Sequence, residues 1–214
     1  SGIIGGTGTL SKSGSGTWTL IGANTYSAAT TISAGTLQLG NNAALGTTTA
    51  TTIALNAFVD LNGFITAELF IISGSLVNNS ATAATTSGNI TLTTAAIIGG
   101  TGDATATGII SSTGTLTKSG AGTWTLSGIN TFSGATTVSV GNLKMGSNAA
   151  FGTATSTTII SGATVDLNGF TTAELFVIRG SLLNNSATAA TASGAITLTT
   201  SAIIGGTGNV TSSG

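Results

Sequence analysis

The sequence lacks the residues on which most enzyme and metal sites depend. Among its 214 residues there is no cysteine, histidine or proline, and only 4% are charged. The missing cysteine excludes a disulfide framework and a thiolate metal site. With histidine absent as well, the usual nucleophile–base pairs and zinc sites are also excluded. We therefore predict no catalytic, cofactor-binding or metal-binding residue and no cofactor.

Charge and long apolar runs are equally scarce. The formal net charge is −1, so there is no basic field for nucleic acid and no polybasic patch for anionic lipid. No apolar run approaches the roughly 18 residues of a membrane helix, and the nearest, residues 67–77, contains Glu68 and Gly74. We therefore expect no nucleic-acid partner and no membrane span in this segment. The sequence starts at Ser1 without a methionine or a signal peptide, which predicts a processed or internal segment.

What is present favours β-structure over disorder. Hydrophobic residues make up 40% of the chain, and 33 residues are glycine. Disordered chains combine low hydrophobicity with high net charge, and this chain has neither property. Threonine, isoleucine and valine are frequent and favour strands. No apolar stripe of helical spacing has a useful length, so the pattern predicts an all-β fold.

An internal repeat of 106 residues covers the whole chain. Residues 1–106 and 107–212 are identical at 74 of 106 positions, and residues 213–214 begin a further unit in phase. Tyr26 is replaced by Phe132 and Leu45 by Phe151, exchanges that a packed interior tolerates. Charge differences, such as Ser73 against Arg179, indicate positions in solvent. We expect two units in one continuous structure.

Each unit reads as short strands separated by glycine, asparagine or serine turns. The pattern predicts a parallel β-solenoid, or β-helix, with coils of about 20–25 residues, giving four or five coils per unit. Two antiparallel β-sandwich domains are the alternative. Small side chains favour the solenoid, because its tight corners and stacked rungs reward them.

Alternation within the strands predicts which residues point into the core. We expect Trp18 and Trp124 to be large core fillers, and Asp60 to point outward between Val59 and Leu61. Lys12 shares the parity of Leu10, and we predict that its stem covers apolar surface while its ammonium group lies in solvent. The predicted core residues are Leu10, Trp18, Leu20, Leu37, Leu39, Val59, Leu61, Ile90, Leu92, Leu116, Trp124, Leu126, Leu143, Met145, Val165, Leu167, Ile196 and Leu198.

One segment of each unit resembles a known family. Residues 6–42 read GTGTLSKSGSGTWTLIGANTYSAATTISAGTLQLGNN, and residues 113–148 match them closely. The fixed spacing of lysine, glycine, asparagine and aromatic residues resembles the passenger-associated repeat of bacterial autotransporters. VDLNGF, at residues 59–64 and 165–170, is similar to a companion segment of that family. The resemblance implies a right-handed parallel β-helix that is secreted and displayed on a bacterial surface.

These features lead to one functional hypothesis and two alternatives. Neither end of the chain differs from its interior, although a solenoid needs polar caps. We therefore predict a structural protein, an extracellular bacterial filament or giant surface fibre, whose partner is itself through further units or end-to-end and lateral association. The first alternative is an adhesin or autotransporter passenger stalk that binds a surface, a glycan or, through threonines such as Thr47–Thr52, ice. The second is a polysaccharide-active enzyme using Asp60 and Glu68; we predict that the protein is not an enzyme.

Overall fold

The computed structural model describes residues 2–47, 49–153 and 155–213, and these form short strands and turns without a helix. None of these residues therefore forms a helix of the length and hydropathy that crossing a membrane would require. The strands are β1 (Leu10–Lys12), β2 (Thr17–Leu20), β3 (Thr30–Ile32), β4 (Gly35–Leu39), β5 (Thr51–Ile53), β6 (Ala57–Asp60), β7 (Ile65–Thr66), β8 (Phe70–Ile72), β9 (Ser75–Val77), β10 (Ala84–Thr86), β11 (Ile90–Leu92), β12 (Ala95–Gly99), β13 (Ala104–Ala106), β14 (Ile110–Ser111), β15 (Thr115–Lys118), β16 (Thr123–Leu126), β17 (Thr136–Val138), β18 (Asn142–Met145), β19 (Thr157–Ile159), β20 (Thr164–Asp166), β21 (Thr171–Thr172), β22 (Phe176–Ile178), β23 (Ser181–Leu183), β24 (Ala190–Ala192), β25 (Ile196–Leu198), β26 (Ile203–Gly205) and β27 (Val210–Ser212).

The strands wind into a parallel β-solenoid of about ten coils, as the sequence predicts. Every strand pair in the described chain is parallel, and each pairing advances the register by one coil, as in Leu10 beside Thr30 and Thr30 beside Thr51. The antiparallel sandwich alternative is therefore wrong. Its antiparallel hairpins need strands that reverse direction, whereas each strand here pairs with one a full coil away.

Three faces run along the solenoid. Face 1 begins with β1, β3, β5, β8, β11 and β14. Face 2 contains ten strands, β2, β4, β6, β9, β12, β15, β17, β19, β22 and β25. Face 3 contains β7, β10, β13, β16, β18, β20, β23 and β26. Turn segments continue face 1 beyond β14, because Thr131 N donates to Ile110 O and Thr153 N to Phe132 O. The remaining sheet, β21–β24–β27, follows on that face.

The interior consists of side chains stacked in rows from coil to coil. One row on face 2 runs through Leu37, Val59, Leu76 and Ile98, all fully buried. Such rows form because parallel strands in register place equivalent side chains one coil spacing apart. At the corners, Gly35 has φ +68°, and a Cβ there would collide with carbonyl oxygens of the preceding coil. Glycine is thus required where successive coils approach most closely.

The structure buries fourteen of the eighteen side chains expected in the core. Leu10 and Ile196 are half-buried and pack against the core. Trp18 and Leu198 were placed wrongly, because their side chains are 42% and 59% exposed. Both lie on terminal coils, where β2 and β25 are edge strands of the face 2 sheet. An inward-pointing side chain on an interior coil is covered by the coils on both sides, whereas one on a terminal coil is covered on one side only.

The repeat unit does not contain a whole number of coils. The first strand of unit 1, β1, lies on face 1, whereas its equivalent in unit 2, β15, lies on face 2. Likewise β2 lies on face 2 and its equivalent β16 on face 3. One unit therefore spans about five and a third coils rather than the four or five expected, because a coil is only as long as the chain from Leu10 to Thr30.

Candidate functional site

The lysine of each unit is buried between two coils. The Nζ of Lys12 donates to the carbonyl oxygens of Ser13, Gly14 and Ala34 at 3.1, 2.8 and 3.0 Å. Only 6% of the Lys12 side chain is exposed, so the prediction that its ammonium group lies in solvent is wrong. The side chain follows its inward parity, and the carbonyl groups of two turns replace the water that it loses.

Lys118 repeats this arrangement in the interior of the solenoid. Its Nζ donates to the carbonyl oxygens of Ser119, Gly120 and Val140 at 2.9, 2.7 and 3.0 Å, and its side chain is fully buried. Burial lowers the pKa of Lys118 to about 8, and the nearby negative charge of Asp103 opposes this shift. The lysine therefore joins two turns from inside the core, where it is shielded from substrates.

An asparagine side chain in each unit links three successive coils. Asn130 Oδ1 accepts a hydrogen bond from Ile110 N at 2.8 Å, and Asn130 Nδ2 donates to Ala150 O at 2.7 Å. Asn24 makes the equivalent bonds in unit 1. Both side chains are buried. The amide thus continues the backbone ladder in a segment that forms no strand, because it supplies one acceptor and one donor at the coil spacing.

A second buried asparagine joins the turn after β9 to the turn within VDLNGF. Asn78 Oδ1 accepts a hydrogen bond from Gly63 N at 2.9 Å, and its Nδ2 donates to Thr82 O and Asp103 O at 2.9 and 2.6 Å. Asn184 makes the equivalent bonds in unit 2. Both side chains are fully buried. These amides join the backbone of two turns to the adjacent coil.

The aspartate of each unit organises the neighbouring turn. Asp60 Oδ1 accepts hydrogen bonds from Asn62 N and Asn79 N, both at 3.0 Å, and Oδ2 accepts one from Gln38 Nε2 at 3.3 Å. Asp60 points outward as predicted, in register with Gln38, but only 3% of its side chain is exposed. Side chains of the adjacent coils cover it, which alternation along one strand does not reveal.

The glutamate of each unit is buried against an inward-facing threonine. Thr51 Oγ1 donates to Glu68 at 2.9 Å, and Thr157 Oγ1 donates to Glu174 at the same distance. Burial raises the pKa of Glu174 to about 7, and the hydrogen bond from Thr157 opposes this shift. Glu174 also lines a surface cavity of roughly 380 Å³.

The two carboxylates proposed for catalysis belong to separate hydrogen-bond networks. Asp60 binds the amides of its own turn, whereas Glu68 contacts Thr51 on face 1. Both side chains are at least nine-tenths buried. In the described part of the chain, no three acidic side chains gather in a cluster that could hold a metal ion. The geometry gives these carboxylates a role in holding turns and coils together.

The terminal coils expose groups that are buried in the interior. Trp124 is fully buried and donates from Nε1 to Gly99 O at 2.8 Å, whereas the equivalent Trp18 is 42% exposed. At the opposite end, Leu198 and Ile204 are 59% and 49% exposed, although their equivalents Leu92 and Ile98 are fully buried. Each end therefore presents a parallel strand edge together with apolar core.

The outer surface is almost free of charge. Six of the nine charged side chains are buried, namely Lys12, Lys118, Asp60, Asp166, Glu68 and Glu174. Asp103 and Arg179 are exposed, as expected from the charge differences between the units, and Lys144 is half-buried. Little electrostatic repulsion therefore opposes association between the sides of two such solenoids.

A known family model matches one segment of each unit. The model of the passenger-associated-transport-repeat matches residues 10–39 and 116–145. The first match runs from β1 to β4 and includes Lys12, Trp18 and Asn24. Within it β1 already pairs with β3, and β2 with β4. The matched segment is thus a piece of chain in which one coil stacks on the next. No curated protein and no solved structure matches the chain significantly.

Proposed function

Since the chain carries two passenger-associated-transport repeats in one β-solenoid, we propose that it is a structural rod segment of an extracellular, cell-surface fibre or filament. Passenger domains that contain this repeat are exposed on the cell surface. The rod has a mechanical role: continuous backbone ladders and stacked apolar rows make it stiff, so that it carries load or holds cells apart.

The observation that carries this proposal is the match between the ends and the junction of the two units. Within the chain, β12 at the end of unit 1 is covered by β15 of unit 2 over four residue pairs. The equivalent strand at the other end, β26, is an edge strand whose Ile203 and Ile204 are 61% and 49% exposed. A further unit of this sequence fits that edge by the contacts that already join units 1 and 2.

The experiment is electron microscopy and analytical ultracentrifugation of the purified chain over a range of concentrations. Wild-type chains are expected to stack into filaments with an axial spacing of ~4.8 Å between coils. Leu198→Lys/Ile204→Lys places two charges in the exposed terminal core and is expected to hold the chain at the mass of one molecule. Desolvating an unpaired charge in an apolar contact is costly.

A matched control adds the same charge elsewhere. Leu55 and Ile129 are 65% and 72% exposed on interior coils, so Leu55→Lys/Ile129→Lys changes net charge without touching either end. This control is expected to stack like the wild type. Stacking of the Leu198→Lys/Ile204→Lys variant, or single wild-type molecules at every concentration, would contradict end-to-end assembly.

A second candidate function is a passenger stalk that binds a surface, a glycan or ice. The observation in its favour is a row of uncharged side chains on in-register strands of one face in each unit. All of them carry a hydroxyl group except one aliphatic residue per unit. We call this row the hydroxyl strip; it comprises Ser11, Thr31, Thr52, Ile71 and Thr91 in unit 1 and Thr117, Thr137, Thr158, Val177 and Thr197 in unit 2. None of these side chains is buried.

Fewer threonines point outward than the threonine-rich sequence suggests. Thr51, within the stretch 47–52, points inward and is fully buried, so that stretch is not a continuous outward row. An assay of ice recrystallisation or glycan binding tests this candidate, with Thr31→Lys/Thr137→Lys as the variant that should abolish it. Equal binding by the variant and the wild type would exclude the strip as the binding face.

A further inference from the structure

We propose that successive units of this sequence turn by one face along the rod, so that any surface carried once per unit faces three directions in succession. The inference rests on the proposed assembly of further units into a rod. The rotation from unit to unit determines on which side of the rod a partner meets the equivalent surfaces of successive units.

The two units show the rotation directly. The hydroxyl strip of unit 1 lies on β1, β3, β5, β8 and β11 of face 1, whereas that of unit 2 lies on β15, β17, β19, β22 and β25 of face 2. The strands next in sequence move in the same way, because β2 lies on face 2 and its equivalent β16 on face 3. The third set completes the cycle: β7 lies on face 3, and its equivalent β21 is in the sheet that follows face 1.

The cause is the mismatch between coil length and unit length. Along face 1 the register passes from Leu10 to Thr30, Thr51, Phe70, Ile90 and Ile110. Five coils thus end at Ile110, six residues before Leu116, which is the sequence equivalent of Leu10. That remainder corresponds to about one face, because a coil from Ile90 to Ile110 is shared by three faces. Each added unit therefore starts one face further on.

The consequence is a surface period of three units. Three units span about 16 coils, which is roughly 77 Å at ~4.8 Å per coil. Each strip runs along the axis within its unit and then passes to the next face. A flat partner on one side of the rod meets a given surface only once in that length, whereas partners on three sides meet it equally. The rod therefore presents its binding surfaces in three directions, which suits holding neighbours apart on all sides rather than lying flat on one.

The rotation of unit 2 relative to unit 1 can be tested on the chain itself, because the chain contains no cysteine. In the structure Thr91 is the register partner of Ser111, and Thr117 is the partner of Ile97. A short bifunctional thiol reagent is expected to cross-link Thr91→Cys/Ser111→Cys and to leave Thr91→Cys/Thr117→Cys unlinked. If the units were stacked in phase, Thr117, the equivalent of Ser11, would lie over Thr91. The second pair would then cross-link and the first would not, which would overturn the inference.

Gold labelling extends the test to assembled rods. Filaments of Thr31→Cys/Thr137→Cys, which carry one maleimide–gold label per unit, are expected to show labels at three azimuths with a period of roughly 77 Å along each side. Filaments labelled along a single side would refute the rotation while leaving the rod intact. Failure to form any filament would count against the proposed assembly, and the cross-linking result would still decide the phase.

Discussion

Units 1 and 2 are nearly the same sequence in two different surroundings, and their tryptophans show what the surroundings do. Trp124 has β13 on one side and β18 on the other, and it is fully buried. Within the part of the chain that the structure describes, Trp18 pairs only with β4, and it is 42% exposed. The residue and its local pattern are the same in both units. A solenoid side chain is therefore buried by the coils before and after it, and its own strand cannot provide that burial.

A second difference between the units lies within the core. Tyr26 of unit 1 makes a hydroxyl contact of 3.0 Å with Thr30 Oγ1. In unit 2 the tyrosine is replaced by Phe132, and Thr136 Oγ1 is buried with no hydrogen-bond partner among the described residues. Burial raises the pKa of Tyr26, which keeps its hydroxyl protonated and able to donate. One hydroxyl group therefore distinguishes a satisfied polar pair from an unsatisfied one.

The largest expected effect separates the two tryptophans. Trp124→Ala should reduce the free energy of unfolding by ~3–5 kcal/mol, because it leaves a cavity and removes the hydrogen bond to Gly99. In dilute solution, where the chains are not stacked, Trp18→Ala should cost about 1 kcal/mol or less, because much of that side chain is exposed on a single molecule. Urea unfolding followed by circular dichroism measures both variants. Equal losses would mean that Trp18 is covered in solution, as end-to-end stacking predicts, and dilution should then separate the two values.

The next effect concerns the buried lysine of unit 2. Lys118→Met fills a similar volume but leaves three turn carbonyls without a donor, and it should destabilise the chain by ~1–3 kcal/mol. Lys144→Met is the matched control, because Lys144 lies half-buried on an outer face, and its effect should stay within about 0.5 kcal/mol. Thermal unfolding at neutral pH measures the difference. Equal stability of the two variants would show that the carbonyl contacts contribute nothing.

Two buried groups of unit 2 predict a pH dependence of opposite sign in two ranges. Glu174 has a pKa of about 7, above its usual value of 4.5, so the folded state binds more protons and stability should fall as pH rises from about 4.5 to about 7. Lys118 has a pKa of about 8, below 10.5, so the unfolded state binds more protons and stability should rise between those values. Chemical unfolding across this range measures both slopes.

Variants assign each slope to one residue. Glu174→Gln should flatten the acidic range and leave the alkaline range as in the wild type, whereas Lys118→Met should do the reverse. An acidic slope that persists in Glu174→Gln would have to come from another carboxyl group.

The smallest expected effect exchanges the tyrosine between units. Phe132→Tyr gives Thr136 Oγ1 a partner and should stabilise the chain by ~1 kcal/mol, and Tyr26→Phe should destabilise it by a similar amount. Thermal unfolding of the two variants and of the double exchange measures both changes. Destabilisation by Phe132→Tyr would mean that the larger Phe151 of unit 2, which replaces Leu45, leaves no room for the hydroxyl group.

Much of the fold follows from local patterns along the chain. Strand alternation identified buried positions such as Leu37 and Val59, and the regular glycine spacing indicated tight corners. These predictions succeeded because strand parity and turn chemistry are properties of a few adjacent residues. The internal repeat and its match to the passenger-associated-transport-repeat are likewise visible without coordinates.

The buried polar positions were harder to predict. Lys12, Asp60 and Asn78 were expected in solvent or were not singled out, yet each is buried and hydrogen-bonded to groups on another coil. Each has partners in its own turn, but at least one further partner lies about a full coil away along the chain, and no short window of sequence contains that pair. The recurrence of each residue at the same place in both units was the available signal, and it did not reveal the partner.

The chain's composition, alternation and repeat predict short stacked β-strands, and they show that histidine and cysteine are absent, because these features depend on which residues are present and on their local order. The length of each coil, the burial of six charges and the shift of one face per unit depend on which strands pair. Strand pairing joins residues about 20 positions apart, and it is determined by how well each coil packs against the coils before and after it.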